Sequence, residues 1–115
     1  MSASHFFSKD YFQARDRFIK SINEMKVQGH QVSHDVLTLD CKGPNQKNLC
    51  IDIATIGSID SDNLLLYSSG IHGVEGFAGS AIQLSVLDQL KNANPITDYC
   101  ICLLYTSPSP RDLST

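Results

Sequence analysis

Along residues 8–27 apolar side chains return every three or four positions. Tyr11, Ala14, Phe18, Ile22 and Met25 form one stripe, with Phe12 and Ile19 beside it. Arg15, Asp16, Lys20, Asn23 and Glu24 fill most of the other side and read as a solvated face. That period predicts an amphipathic helix. Ser8 is placed to cap its start and Gly29 to end it. The pattern then shortens. A strand is expected near Val32–Leu39, although Val32, His34, Val36 and Leu39 do not alternate strictly. Lys42-Gly43-Pro44-Asn45-Gln46 reads as a turn. After it Leu49, Ile51, Ile53 and Thr55 alternate with Cys50, Asp52, Ala54 and Ile56, the period of a strand. Two strands around a short Gly-Pro turn predict an antiparallel pair.

A second polar turn, Ile59-Asp60-Ser61-Asp62-Asn63, leads into Leu64-Leu65-Leu66-Tyr67-Ser68-Ser69. This run is continuously apolar at its start, as in a central strand covered on both faces. A helix is expected from about Gly76 to Leu90, turning Phe77, Ala81, Leu84 and Leu87 or Leu90 inward. Asn94-Pro95 closes that connection, and Tyr99–Leu104 reads as one more strand. Strand, helix, strand at this spacing is a crossover, so these last two strands should be parallel. The expected fold is α/β, a mixed sheet with flanking helices that is incomplete.

Composition narrows the classes. With 115 residues the chain makes one small domain at most. Hydrophobic residues at 42% and charged residues at 18% indicate a globular chain. A net charge of −3 argues against nucleic acid as a partner. No apolar run approaches the roughly 20 residues of a membrane-spanning helix. Met1-Ser2-Ala3-Ser4-His5 lacks the basic start and apolar stretch of a secretory signal, so a cytoplasmic protein is expected. Cys41, Cys50, Cys100 and Cys102 include no C-x-x-C pair and read as free, largely buried thiols.

The end of the chain has a different character. Cys102-Leu103-Leu104-Tyr105-Thr106-Ser107-Pro108-Ser109-Pro110-Arg111-Asp112 resembles the translation of a transposase-type sequencing adapter. On that reading residues 1–101 are native protein and residues 102–115 a disordered appendage. The other reading is a Pro/Ser-rich linker.

The candidate chemistry lies in Ser69–Ser80. His72 and Glu75 are three residues apart, between a buried strand and the mouth of a helix. That spacing sets both on one side of a helical turn. Imidazole nitrogen and carboxylate oxygen are both good zinc ligands. The carboxyl ends of strands are where open α/β sheets bind ligands. Gly70, Gly73, Gly76 and Gly79 allow sharp turns and close approaches. The spacing also admits a plainer reading, in which His72 bonds a loop carbonyl and Glu75 favours the helix dipole. The glycines do not form G-x-G-x-x-G, no Gly-Lys-Ser/Thr is present, and Ser68-Ser69-Gly70 is no G-x-S-x-G elbow. A strand followed by Gly-x-His-Gly also fits the oxyanion loop of a serine α/β-hydrolase whose nucleophile lies elsewhere. His5, His30 and His34 read as structural or solvated.

The stretch Leu64–Gln83, with its core His72-Gly73-Val74-Glu75-Gly76-Phe77-Ala78-Gly79-Ser80, resembles the zinc-site segment of the carboxypeptidase A superfamily. It is most similar to a branch that reads His-Gly-Val-Glu-Gly-Phe-x-Gly-Ser, related to succinylglutamate desuccinylase and aspartoacylase. The resemblance extends over residues 6–101 as the N-terminal part of that fold. It implies His72 and Glu75 as the first two ligands of one zinc ion, with Gly70, Gly73 and Gly76 supporting the loop. It also implies a metal-activated water attacking a peptide or amide carbonyl, with a separate Glu as general base. The implied substrate is a small peptide or an N-acyl amino acid. After Glu75 the sequence contains no His and no Glu, so the third ligand and the general base are not in this chain. The chain alone is therefore expected to be inactive. A non-catalytic binding module and a serine-hydrolase fragment are the competing readings.

Overall fold

The computed structural model describes residues 3–42, 48–69, 75–96 and 98–106. A short 3₁₀ turn at Ala3–Phe6 precedes helix α1 (Tyr11–Val27), strands β1 (Val32–Lys42), β2 (Asn48–Gly57) and β3 (Leu64–Ser69), helix α2 (Glu75–Lys91) and strand β4 (Cys100–Thr106). The helix stripe is as expected: Tyr11, Ala14, Phe18, Ile22 and Met25 are all buried. The cap is not. Asp10, rather than Ser8, accepts a 2.7 Å hydrogen bond from the Gln13 N–H. Gln13 Oε1 in turn accepts from the Lys9 N–H at 2.6 Å. Ser8 accepts a hydrogen bond from Arg17 instead, which also donates to the carbonyls of His5 and Phe7. At the other end Gly29 adopts φ +91°. There its N–H reaches the Lys26 carbonyl and the His30 N–H reaches that of Met25, a Schellman closure.

The four strands form one sheet in the order β1-β2-β4-β3. β1 and β2 are antiparallel, β2 and β4 antiparallel, and β3 and β4 parallel. The hairpin and the parallel crossover are thus as the periodicity predicts. Register explains the core. Ile56 pairs with Ile101, Ala54 with Leu103 and Asp52 with Tyr105, so these six share one face. Against that face pack the α1 stripe and, from α2, Leu84 and Leu87. Both helices therefore cover the same side of the sheet. The opposite side carries Leu37, Leu64 and Leu66, each more than half exposed, and the partly exposed Ile51, Ile53 and Leu104.

Two expectations are corrected here. β3 is an edge strand, not a central one covered on both faces. Leu64, Leu65 and Leu66 are 65%, 50% and 60% exposed, and only Ser69 is buried. The reason is connectivity: β4 inserts between β2 and β3 and takes the central place, pairing on both sides. Nor does disorder begin at Cys102. β4 continues through Thr106, with Leu103 and Tyr105 in the core, because alternating apolar residues there fill the helix-covered face. Residues 107–115 lie outside the described ones.

A carboxylate is buried in this apolar layer. Asp52 is fully buried. Arg15 of α1 donates to it through Nε at 2.7 Å and Nη2 at 3.1 Å, and His34 Nε2 of β1 lies 2.8 Å from Oδ1. Burial alone would lower the basicity of the Arg15 guanidinium. The hydrogen bonds and charge of Asp52 outweigh that, and the group is held above its ordinary value. Nearby, the Tyr11 hydroxyl donates to the Cys50 carbonyl at 3.0 Å and accepts from the Cys50 N–H at 3.2 Å. Burial pushes the Tyr11 phenol up to about 12. The thiols of Cys50, Cys100 and Cys102 are free.

Two expected outcomes follow from these buried groups. Asp52→Ala strands Arg15 and His34 and should cost about 3 kcal/mol in urea unfolding, since breaking a buried pair leaves a charge uncompensated. In alkali, an unfolded tyrosine ionises near pH ~10, while folded Tyr11 holds its proton to about 12. Its contribution is therefore full below pH ~10 and is lost as pH rises toward 12. Unfolding free energy should fall across that window, and less steeply in Tyr11→Phe. An identical slope in the variant would remove Tyr11 as the cause.

Candidate metal centre

The parallel pair β3–β4 needs a crossover, and α2 supplies it. α2 starts after the C-terminal end of β3 and leads back to its N-terminal end, where Cys100 pairs with Leu64. The β3–α2 junction is the position where α/β sheets bind ligands. Of the expected site residues, His72, Gly70 and Gly73 lie outside the described residues. Glu75 is the first residue of α2 and Gly76 the second. The sequence expectation of a helix beginning at Gly76 is thus met to within one residue, and Glu75 opens that helix as expected.

The frame around the junction is polar and tightly packed. Ser69, the last residue of β3, is buried and pairs in register with Tyr105 of β4. Ser80 and Gln83 of α2 are buried too. The Gln83 amide donates to the carbonyl of Tyr67 on β3 at 3.3 Å and to that of Leu104 on β4 at 3.1 Å. One side chain thus ties the helix to both parallel strands. Tyr105 is pushed well above the ordinary tyrosine range, chiefly by burial, with a hydrogen bond to Ser80 opposing the shift. Among the described residues the Ser69 hydroxyl and Gln83 Oε1 are buried without a hydrogen-bond partner. The sequence offered no sign of this polar cluster. Ser69 and Gln83 fall inside the quoted motif stretch, but their roles depend on which strands neighbour α2.

The other expected structural histidines are accounted for. His30 Nε2 lies 3.2 Å from the Lys91 carbonyl, which joins the end of α1 to the end of α2. His34 serves Asp52. His5 is exposed, with its ring edge on Phe6. Among the described residues no three His, Cys, Asp or Glu side chains come together as a metal site. A groove of about 610 Å³ between the 3₁₀ turn and α2 is lined by Phe6, Phe7, Ile82 and Val86, and Asp88 is the one potential metal ligand among its described lining residues. No helix among the described residues is long and apolar enough to cross a membrane.

The donor chemistry at the β3–α2 junction suits zinc, since an imidazole and a carboxylate are both ordinary ligands. The buried Ser69 hydroxyl, without a hydrogen-bond partner among the described residues, adds a polar position beside Ser80 and Gln83 just before this loop.

Gln83→Leu removes both donations while keeping the volume close. It should cost about 1–3 kcal/mol in thermal or urea unfolding, because two strand carbonyls lose a donor. Ser69→Ala, which deletes a hydroxyl without a partner among the described residues, should leave stability nearly unchanged.

Comparison with known proteins places the fold. A family model described as "Protein of unknown function (DUF2817)" matches residues 7–106, and the chain belongs to that family. No curated protein matches the chain. Among solved structures, the glutaminyl cyclase of Fimbriiglobus ruber superposes with a TM-score of 0.50 at 10% identity, covering 91% of this chain and 41% of that one. A Porphyromonas gingivalis glutaminyl cyclase superposes with a TM-score of 0.51 at 13% identity, covering 81% and 36%. At these identities the likeness is one of fold. The chain spans about two fifths of the length of these structures.

Proposed function

We propose that this member of the DUF2817 family is the N-terminal part of a zinc-dependent metallohydrolase of carboxypeptidase type. The observation that carries the reading is the position of the motif His72-Gly73-Val74-Glu75-Gly76-Phe77-Ala78-Gly79-Ser80: it joins the end of a parallel strand to the first turns of its crossover helix. His72 and Glu75 supply two ligands, and Gly70, Gly73 and Gly76 support the loop that presents them. When bound, a zinc ion at such a site polarises a carbonyl and lowers the pKa of a water. The substrate class is a small peptide or an N-acyl amino acid. The mixed α/β fold shared with glutaminyl cyclases is compatible with this reading. Free thiols at Cys50, Cys100 and Cys102 suit a reducing compartment, the cytoplasm. The third ligand and the general base are not supplied by residues 76–115, which contain no His and no Glu.

The test uses the complete reading frame, obtained by sequencing the native transcript past the codon for Ile101. Purified protein should retain about one zinc per chain, as a three-ligand catalytic site does. His72→Ala and Glu75→Ala should each lose it, and the complete protein should hydrolyse N-acyl amino acids or short peptides in a chelator-sensitive way. Unchanged zinc content in His72→Ala would sink the ligand assignment.

A further inference from the structure

Gly79 stands one helical turn after Glu75, on the same side of α2. Its Cα lies against Ser69, the residue that ends β3. A Cβ built on Gly79 would overlap Ser69 Cβ, and it would stand 3.4 Å from Ser69 Oγ and 3.5 Å from Ser69 Cα. Ser69 and Gly79 therefore touch across residues 70–78, the stretch that contains both His72 and Glu75. A second restraint lies one turn further along the helix, where Gln83 donates to Tyr67 and Leu104. Among the described residues the buried Ser69 hydroxyl has no hydrogen-bond partner, so the contact turns on its size.

From this packing we infer that the Ser69–Gly79 contact is a positioning device for the metal centre. It sets the separation between the end of β3, from which the chain runs to His72, and the first turn of α2, which carries Glu75. The inference rests on the reading of His72 and Glu75 as zinc ligands. Zinc tolerates ligand distances only within about 0.2 Å of their ordinary values. A helix pushed away by an added methyl group therefore changes the position from which Glu75 must reach the ion. Glycine at position 79 costs helix propensity, and the close approach is what the missing side chain makes possible.

The geometry supplies its own rescue. Ser69→Gly removes Cβ and Oγ, and the nearest atom to an alanine Cβ at position 79 is then the Cα of residue 69 at 3.5 Å, an ordinary contact. Ser69→Ala keeps Cβ and leaves the overlap in place. Zinc affinity of the complete protein is measured by competition with a chromophoric chelator, well below each variant's melting temperature. Cobalt substitution reports the ligand field alongside it. Gly79→Ala should weaken zinc binding tenfold or more and change the cobalt spectrum. Ser69→Gly/Gly79→Ala should return to within about threefold of wild type, and Ser69→Ala/Gly79→Ala should not. A contact that serves stability alone would lower the melting temperature and leave affinity and spectrum unmoved, and that result overturns the inference. Equal rescue by both double variants overturns it as well. Should Gly79→Ala fail to fold, Ser69→Gly/Gly79→Ala must bind zinc more tightly than Ser69→Gly, and equality counts against the device. Zinc absent from wild type, or retained in His72→Ala, overturns the ligand reading and this inference with it. Zinc lost in His72→Ala but unaffected in Gly79→Ala overturns this inference alone.

Discussion

β4 pairs on both of its edges, and the rest of the molecule is arranged by that fact. Its antiparallel register with β2 aligns Ile101, Leu103 and Tyr105 with Ile56, Ala54 and Asp52, which creates the single face that both helices cover. Its parallel register with β3 cannot be made by a tight turn. The chain must cross over through α2, which starts after the C-terminal end of β3 and returns the chain to its N-terminal end, where β4 begins beside Leu64. The location of the candidate centre is thus a consequence of strand pairing before any ligand is considered. The same insertion pushes β3 to the edge and leaves Leu64 and Leu66 exposed. An apolar sheet face of this kind is the sort that a further layer or a partner covers.

Asp52 shows how an apolar layer accommodates a charge. It stands two and four residues before Ala54 and Ile56 on β2, so the strand period drives it into the same helix-covered face. The penalty for burying a carboxylate is large unless charge and hydrogen bonds accompany it. Arg15 comes from α1 and His34 from β1, so three elements must be in place before Asp52 is satisfied. A group of this kind selects one arrangement of helix and hairpin over near alternatives, whatever its net contribution to stability.

Periodicity made much of this legible. The stripe from Tyr11 to Met25, the alternation from Leu49 to Ile56 and the strand–helix–strand spacing after Leu64 each gave the right element and, for the strand pairs, the right direction. Local competition was not legible. Ser8 and Asp10 are both competent caps, and Arg17 engages Ser8 only because the 3₁₀ turn folds back. Three consecutive leucines looked like a central strand because burial on two faces and exposure at an edge leave the same apolar run. Only the position of β4 separates them. The stripe assigned Arg15 to a solvated face, yet it is the partner of a buried carboxylate. A helical wheel records direction around one axis and says nothing of a charge on a neighbouring strand. Of the candidate site, the motif itself could be read, while Ser69, Ser80 and Gln83 acquire their roles from strands remote in sequence.

The first turns of α2 carry Gly76 and Gly79, and each costs about 1 kcal/mol of helix propensity relative to alanine. A sequence selected for helix stability alone would not place glycines there. At Gly79 the structure gives the physical reason, which is the absence of space beside Ser69. Local preference and tertiary fit conflict at this one place, and tertiary fit prevails. Such conflicts concentrate where a site requires a geometry that propensity does not favour. The Ser69 hydroxyl and the Gln83 oxygen, without partners among the described residues, lie in the same region. Three departures from local rules in one small volume, at the carboxyl end of a parallel strand, distinguish this junction from the opposite end of the sheet, where β1 begins. There Gly29 closes α1 just before β1 starts.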